Sequence, residues 1–443
     1  MKKNKYLLFL EISVIIILAV YFYLILARYG VSWDNISHYF NTLTMLSKSK
    51  YYEILRAPLI QLILIPGTAL NVSLYEDILS VQIFLIIFFL FSLKMLSKSL
   101  KVNKISIFLL ALSPFVISFM FVLNITDIFG MSIAILAFAY YYQKKYFKSS
   151  IIFGLAFLAK FTNLLFLPLM PLLFKGKYRI LGVLLALLID LPWFGYNYLL
   201  YHNPVYGFEL SNLVFSGQHV FNLSSIAAAL NSLLQILWPI FIVIGILIYL
   251  RKIRGYNFHN LFKSISRDEI YLLIFAIFEF IYIGSAQNYI TWLLYPLYIA
   301  LIIIGIKILS RIELPSIHAI KINITLALIV FLILSILIYY NLNPNNKISN
   351  WHLWFSKNPN YSAAINKSKD LGCNALYSNA WPYLMIYNPT VNSFYLSSTK
   401  NSIATDSCIL FFNTSNVGVP VNLSKFNFTI LNKNLNYSIF KNN

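Results

Sequence analysis

The sequence predicts a polytopic α-helical membrane protein with a small α/β or β-rich domain at its C-terminus, and three observations carry that expectation. Of its 443 residues, 59% are hydrophobic and 11% are charged, against roughly 25% charged in soluble domains. The apolar residues gather in runs suited to a hydrocarbon core of about 30 Å. From Asn341-Leu342-Asn343-Pro344 onward the composition turns abruptly to Asn, Ser and Tyr. The expected division is therefore a membrane domain over 1–340 and an extracytoplasmic domain over 341–443.

The net charge of +20 does not indicate nucleic acid. The 34 basic residues fall mainly in short clusters between apolar runs, as orientation signals do. The start Lys2-Lys3-Asn4-Lys5 leads directly into an apolar span too long for a signal peptide and without a small-residue cleavage site. The two cysteines, Cys373 and Cys408, have no zinc-type spacing. Outside the membrane they either pair or stay as two core thiols.

The basic clusters set the topology. The first span covers about residues 6–27, with the N-terminus inside. Lysine and arginine clusters follow at 94–104, 143–149, 175–179, 251–267 and 307–321, and the positive-inside rule places them all in the cytoplasm. Neighbouring clusters must then be separated by an even number of crossings. This makes 58–75, opened by Pro58, an interfacial or re-entrant helix within one outer loop over 28–77. It makes 151–174 a hairpin turning near Lys160-Phe161-Thr162, although each arm reaches only about 18 Å. The remaining spans fall near 78–93, 105–123, 129–142, 180–196, 232–250, 269–285, 289–306 and 322–340. The expectation is about eleven crossings in the cell membrane, with the C-terminus outside.

The tail suggests a helix around Ala363–Leu371 and strands at Ala375–Tyr377 and Cys408–Phe412. Its six sequons begin at Asn360, Asn366, Asn413, Asn422, Asn427 and Asn436. In a segment so rich in Asn and Ser they are weak evidence of glycosylation.

The chemistry is sought among ionisable residues near the membrane, where charge is costly. Asp34, in Trp33-Asp34-Asn35, follows the first span on the outer side; it is either a functional carboxylate or a solvated loop acid. His38 would share a helix face with it, and Glu53 stands in the same loop. Asp127 ends the outer turn Asn124-Ile125-Thr126-Asp127 and is either a functional acid or the N-cap of the next helix. Lys160 lies within the hairpin and either snorkels or meets an anion. Arg56 precedes Pro58 at the interface. Asp190, before Leu191-Pro192, would cap a helix or line a cavity. Glu11 and Glu279 lie within spans without an assigned role. Tyr289, Trp292 and Tyr295 read as an interfacial aromatic belt or a sugar platform.

These positions converge on one reaction. Nucleotide-activated donors are not normally available outside, so an outer-face transferase needs its donor from the membrane, such as a polyprenyl-phosphate sugar. Arg56 and Lys160 would hold the donor's phosphate, whose charge grows as it leaves. A phosphate departs without protonation, so one base suffices to activate the acceptor, and Asp34 would supply it.

The same residues resemble the GT-C fold glycosyltransferases, particularly the dolichyl-phosphate-mannose protein mannosyltransferase and lipid A aminoarabinose transferase group. Asp34 matches the family's catalytic Asp in the first outer loop. Arg56-Ala57-Pro58 resembles its basic residue and proline opening the next helix. Thr126-Asp127-Ile128 matches a second acid, and Gly154-Leu155-Ala156-Phe157-Leu158-Ala159-Lys160 is similar to its Gly-to-Lys hairpin segment. Leu191-Pro192-Trp193-Phe194, Asn203-Pro204 and Tyr289 through Pro296 resemble later spans, so the likeness covers most of 1–306. It implies inversion at the anomeric carbon. Two departures stand out. The Asp-Glu pair of the mannosyltransferases reads Asp34-Asn35 here, and the Trp-Trp-Asp signature of oligosaccharyltransferases is absent.

The expected partners are a polyprenyl-phosphate-linked sugar, a protein, glycan or lipid acceptor, and the bilayer. A divalent ion, Mg or Mn, is a candidate cofactor, although no ligand cluster compels one. The abundance of Ile, Asn, Tyr and Lys points to an AT-rich prokaryote, with an archaeon as one candidate. The alternative is a multispan lipid or solute transporter or flippase, against which stand the lack of an internal repeat and the gathering of charge on the outer side. A membrane scaffold that only presents the tail leaves Arg56 and Lys160 unexplained.

Overall fold

A computed structural model describes residues 2–49, 56–102, 111, 116, 125–207, 209, 237, 240–241, 243–245, 265–284, 294–311, 359–373, 375–388, 391–393, 407–412, 428–433 and 437–442. The described residues are mostly helical, with one small sheet. It divides into two compact units. One comprises Met1–Val20, Ile54–Leu62 and Val81–Tyr340; the other comprises Tyr21–Glu53, Ile63–Ser80 and Asn341–Asn443.

Among the described residues the helices, in chain order, are α1 (Lys2–Tyr29), α2 (Trp33–Met45), α3 (Leu59–Ala69), α4 (Leu74–Leu100), α5 (Ile125–Tyr142), α6 (Tyr146–Ala159), α7 (Met170–Leu173), α8 (Tyr178–Tyr201), α9 (Arg267–Gly284), α10 (Tyr295–Ser310), α11 (Pro359–Asp370) and α12 (Trp381–Met385). A 3₁₀ helix, Phe161–Leu169, joins α6 to α7. Among the described residues, the stretches Glu11–Arg28, Leu74–Leu100, Ile125–Tyr142 and Tyr178–Tyr201 are long and apolar enough to cross a membrane. The sequence-predicted spans at 105–123, 232–250 and 322–340 lie mostly or wholly outside the described residues.

Several boundaries differ from the sequence reading, each for a local reason. The span expected from 78 starts at Leu74, because Ser73-Leu74-Tyr75-Glu76 forms a capping box. The Ser73 hydroxyl donates to Glu76 Oε2 at 2.8 Å, and the Ser73 amide donates to the same oxygen at 3.3 Å. The stretch 28–77 accordingly contains two helices, α2 and α3, between the end of α1 and the start of α4. With eleven residues, α3 is about 16 Å long, too short to cross. The span expected to end at 196 continues to Tyr201 and stops at His202, which adopts the left-handed conformation (φ 54°) before Asn203-Pro204. At the expected hairpin turn, α6 ends at Ala159, and Lys160 is extended (φ −156°) before the 3₁₀ turn begins.

Within the first unit, α6 packs against both α5 and α8. Small residues permit the approach. A Cβ on Gly154 would stand 2.6 Å from the Ala186 carbonyl oxygen, and one on Gly182 would stand 2.7 Å from the Phe174 ring. Close backbones joined through small residues are how helices associate in lipid, where apolar burial between helices gains little. The Ser149 hydroxyl also donates to the Ala137 carbonyl at 2.9 Å. Phe138, Phe153, Phe166 and Phe174 fill the space between these helices.

The helix ends carrying basic residues gather at one level. Gln143 Nε2, just past α5, donates to Ser99 Oγ near the end of α4 at 2.9 Å. The Tyr146 and Tyr178 rings at the starts of α6 and α8 lie 5.8 Å apart. Tyr141 OH donates to Asp268 Oδ2 at 3.0 Å. Glu269 at the start of α9 pairs with Lys307 and Arg311 at the end of α10.

In the second unit the tail folds as a five-stranded sheet, ordered β2-β1-β3-β5-β4. Its strands are β1 (Leu376–Ser378), β2 (Asn392–Ser393), β3 (Cys408–Phe412), β4 (Phe428–Lys433) and β5 (Tyr437–Asn442). β2, β1 and β3 run parallel, with Tyr377 opposite both Asn392 and Ile409. β5 pairs antiparallel with β3 and β4, with Ile409 opposite Phe440. Helix α11 packs on β3 and β5. Cys373 and Cys408 are disulfide-bonded, which decides between the two sequence alternatives. The expected helix at Ala363–Leu371 begins four residues earlier, at Pro359.

Candidate active site

In the first unit, Lys160 Nζ lies 2.7 Å from Asp127 Oδ1. Asp127 is fully buried and Lys160 is 17% exposed. Because α5 begins at Ile125, Asp127 occupies its first turn rather than capping a helix that starts at 129. A carboxylate there is favoured by the amide ends of the helix dipole. Lys160 therefore meets an anion from its own chain instead of only snorkelling.

Gly130, one turn after Asp127, is where the neighbours converge. A Cβ on it would lie 2.8 Å from Lys160 Cβ, 2.9 Å from Asn163 Nδ2 and 3.2 Å from the Tyr295 hydroxyl. Asn163 Nδ2 donates to the Ala156 carbonyl at 2.7 Å and the Gly130 carbonyl at 3.3 Å. The Ala156 carbonyl also accepts from the Lys160 amide at 3.0 Å, so the Asn163 side chain adds a second bond to the last turn of α6 and ties it to α5. Thr162 Oγ1 donates to the Tyr295 hydroxyl oxygen at 3.0 Å.

Tyr295 is fully buried, which corrects its reading as a belt or sugar platform. It opens α10 and needs a partner for its hydroxyl, and the turn after Lys160 provides one. Tyr289 and Trp292 lie outside the described residues. Asp127 and Glu279 both act electrostatically on Tyr295, so Glu279 belongs to the same neighbourhood. Both Glu279 and Asp190 are fully buried. Their carboxylate oxygens have no hydrogen-bond partner among the described residues.

Asp190 is not at a helix end, since α8 runs eleven residues past it; the capping alternative is thereby removed. It lies one turn before Trp193, whose ring is 6.2 Å from that of Phe161. Arg56 is buried immediately before Ala57 and Pro58, and the Pro58 carbonyl accepts from the Gln61 amide at 3.1 Å as α3 begins. Among the described residues, no three His, Cys, Asp or Glu side chains come together as a metal site.

The placement along the helices gives the cluster a side. Tyr142 ends α5 at the level of the basic clusters. Asp127 lies fifteen residues earlier on the same helix, about 22 Å away at 1.5 Å per residue. Lys160, at the end of α6, and Tyr295, at the start of α10, belong to that same far end.

In the second unit, α2 carries Asp34 in its first turn, with His38 one turn on and buried. Glu53 lies outside the described residues. The Trp33 ring stands edge-on to Trp381 at 4.6 Å and to Tyr383 at 5.3 Å. Lys48 Nζ, past the end of α2, donates to the Thr68 carbonyl and to Asn71 Oδ1, each at 2.7 Å. This supplies a cation at the carbonyl end of α3, where the helix dipole favours one.

Sequence reasoning missed Tyr295 as a buried partner, named Thr162 only as part of a turn, and missed Gly130 and Asn163 altogether. The signal for Thr162 and Asn163 was weak: two adjacent hydrogen-bonding residues just past Lys160-Phe161 in an otherwise apolar hairpin.

No protein-family model matches the chain, and no curated protein matches it significantly. Solved structures do match. ArnT from Cupriavidus metallidurans in the apo state matches with a TM-score of 0.53 at 13% identity, covering 99% of this chain and 98% of that one. ArnT from the same organism bound to undecaprenyl phosphate gives 0.54 at 13% identity, covering 98% and 97%. ArnT is an aminoarabinose transferase, a GT-C glycosyltransferase. At this identity the likeness is one of fold, and along nearly its whole length the chain has the fold of that GT-C glycosyltransferase.

Proposed function

We propose that the protein is an inverting glycosyltransferase that moves a sugar from a polyprenyl-phosphate donor to an acceptor on the outer face of the cell membrane. The observation that carries this reading is the ion pair of Asp127 with Lys160, set where the helix breaks at the end opposite the basic clusters. The fold shared with an ArnT structure bound to undecaprenyl phosphate supports the donor class.

An ammonium has three N–H donors. Asp127 engages Lys160 at one point and leaves it able to reach a phosphate oxygen. Arg56 would add a bidentate grip. As the acceptor oxygen attacks the anomeric carbon, the bond from that carbon to the phosphate oxygen breaks and polyprenyl phosphate departs with the electron pair. Lys160 and Arg56 stabilise the charge that grows on it. Asp34 takes the acceptor's proton, and attack opposite the leaving group inverts the anomeric carbon. In this reading the membrane domain over 1–340 crosses about eleven times with the N-terminus cytoplasmic, and the domain over 341–443 is extracytoplasmic.

A second reading, a lipid or solute transporter or flippase, is favoured by Glu279 and Asp190, buried acids within apolar helices of the kind that mark transport pathways. Purified protein in liposomes, given a panel of polyprenyl-phosphate sugars, separates the two. Release of free polyprenyl phosphate with a glycosylated acceptor supports the transferase. Movement of labelled lipid across the bilayer with no release from any donor rejects it.

A further inference from the structure

Asp34 lies in the first turn of α2, and the tail domain reaches this turn directly. Trp33 stands edge-on to both Trp381 and Tyr383 of α12. The Tyr383 hydroxyl hydrogen-bonds the Trp33 backbone, where the first amides of a helix have no helical partner. Tyr383 is 1% exposed. Burial, then Tyr361 and Asp34, hold its hydroxyl well above the ordinary tyrosine range, so it stays neutral at physiological pH, with its oxygen accepting from the Trp33 amide.

The contact is anchored behind. Tyr383 stacks on Tyr361 at 5.2 Å, and Tyr361 meets Phe412 of β3 edge-on at 5.0 Å. A continuous row of rings thus runs from the sheet to the helix bearing Asp34. The Cys373–Cys408 disulfide closes the loop from which α12 projects. This is more than a tail needs merely to fold. Trp33 is a half-buried residue of a separate chain segment, and it is gripped at both ring and backbone.

We infer that the Trp381-Pro382-Tyr383 turn is a positioning element for Asp34, so that the tail domain forms part of the framework that sets the catalytic base. The inference rests on the reading of Asp34 as base. A base must sit within hydrogen-bond reach of the proton it takes, and a displacement of about 1 Å can lower the rate on the order of 100-fold. Such a fault lies in the chemical step and spares the donor site.

The test measures kcat, donor KM and thermal midpoint for purified full-length W381A, Y383F and W381F, with D34N as reference. Expected are a fall in kcat of about 100-fold for W381A and about ten-fold for Y383F, with donor KM within about three-fold of wild type. W381F, which keeps an edge-on ring, recovers most of the W381A loss. Y383F removes only a hydroxyl and serves if W381A does not fold. Wild-type kcat in a folded W381A or Y383F overturns the inference, as do losses in kcat that track donor KM and thermal midpoint together. If D34N itself turns over at the wild-type rate, the base assignment fails first, whatever the tail variants do.

Discussion

Lys160 and Asp127, separated by the whole of α6 and most of α5, meet at 2.7 Å with the aspartate fully buried and the lysine 17% exposed. The pair joins the first turn of one helix to the terminus of the next, and the two ends are asymmetric in what they lose. Lys160→Met removes the cation from a fully buried carboxylate, so it should destabilise by about 3–5 kcal/mol. Asp127→Asn leaves an ammonium that still reaches solvent, and should cost less. The double variant Lys160→Met/Asp127→Leu should recover most of the stability while failing to bind donor. Thermal unfolding in detergent, paired with donor titration, checks this; additive losses in the double variant would contradict it.

Tyr295→Phe should cost about 1 kcal/mol, the worth of one buried hydrogen bond. Thr162→Val should cost a similar amount, and the double variant should cost little more than either alone. A double-mutant cycle on unfolding midpoints is the check. Full additivity would mean that the 3.0 Å contact contributes nothing.

Gly154→Leu should prevent α6 and α8 from seating. Even a Cβ would lie 2.6 Å from the Ala186 carbonyl oxygen, and overpacking of this kind costs typically 1–3 kcal/mol or more. Gly195→Ala, where a Cβ meets nothing within 4 Å, is the control and should leave the midpoint nearly unmoved. Equal midpoints for Gly154→Leu and wild type would show that the helices do not pack as closely as described.

Replacing both Cys373 and Cys408 by Ser should lower the stability of the tail by about 4 kcal/mol, from the loop-closure entropy of a 35-residue separation. Hydrogen exchange of the strand Cys408–Phe412 reads this locally. Protection equal to that of the oxidised protein would contradict it.

Much of the architecture was legible because lipid imposes simple rules on sequence. Apolar runs located α1, α4, α5 and α8, and the break at Lys160 followed from requiring an even number of crossings between basic clusters. The tail's composition announced a change from apolar helices, and Cys408–Phe412 read correctly as a strand, but the compact unit that holds the tail also takes in Tyr21–Glu53 and Ile63–Ser80. Boundaries were lost where capping rather than hydropathy decides them, as at Ser73-Leu74-Tyr75-Glu76 and His202. The acids and bases of the proposed site were visible because charge is rare in such a chain. What they touch was not. Tyr295 looked like an interfacial aromatic because its partner, Thr162, lies 133 residues away, and a cap stood as one of the two readings of Asp127 because the span was started at 129. The disulfide was open because two cysteines in a tail pair only if the fold brings them together.

The most direct measurement is turnover of purified wild-type protein and Asp34→Asn with the polyprenyl-phosphate sugar that wild type accepts. The role of Asp34 as general base requires that wild type release polyprenyl phosphate and invert the anomeric carbon, and that Asp34→Asn lose about 10²–10⁴-fold in kcat, the usual worth of such a base, while still binding the donor. Turnover of Asp34→Asn at the wild-type rate, or retention of anomeric configuration by the wild type, would contradict it.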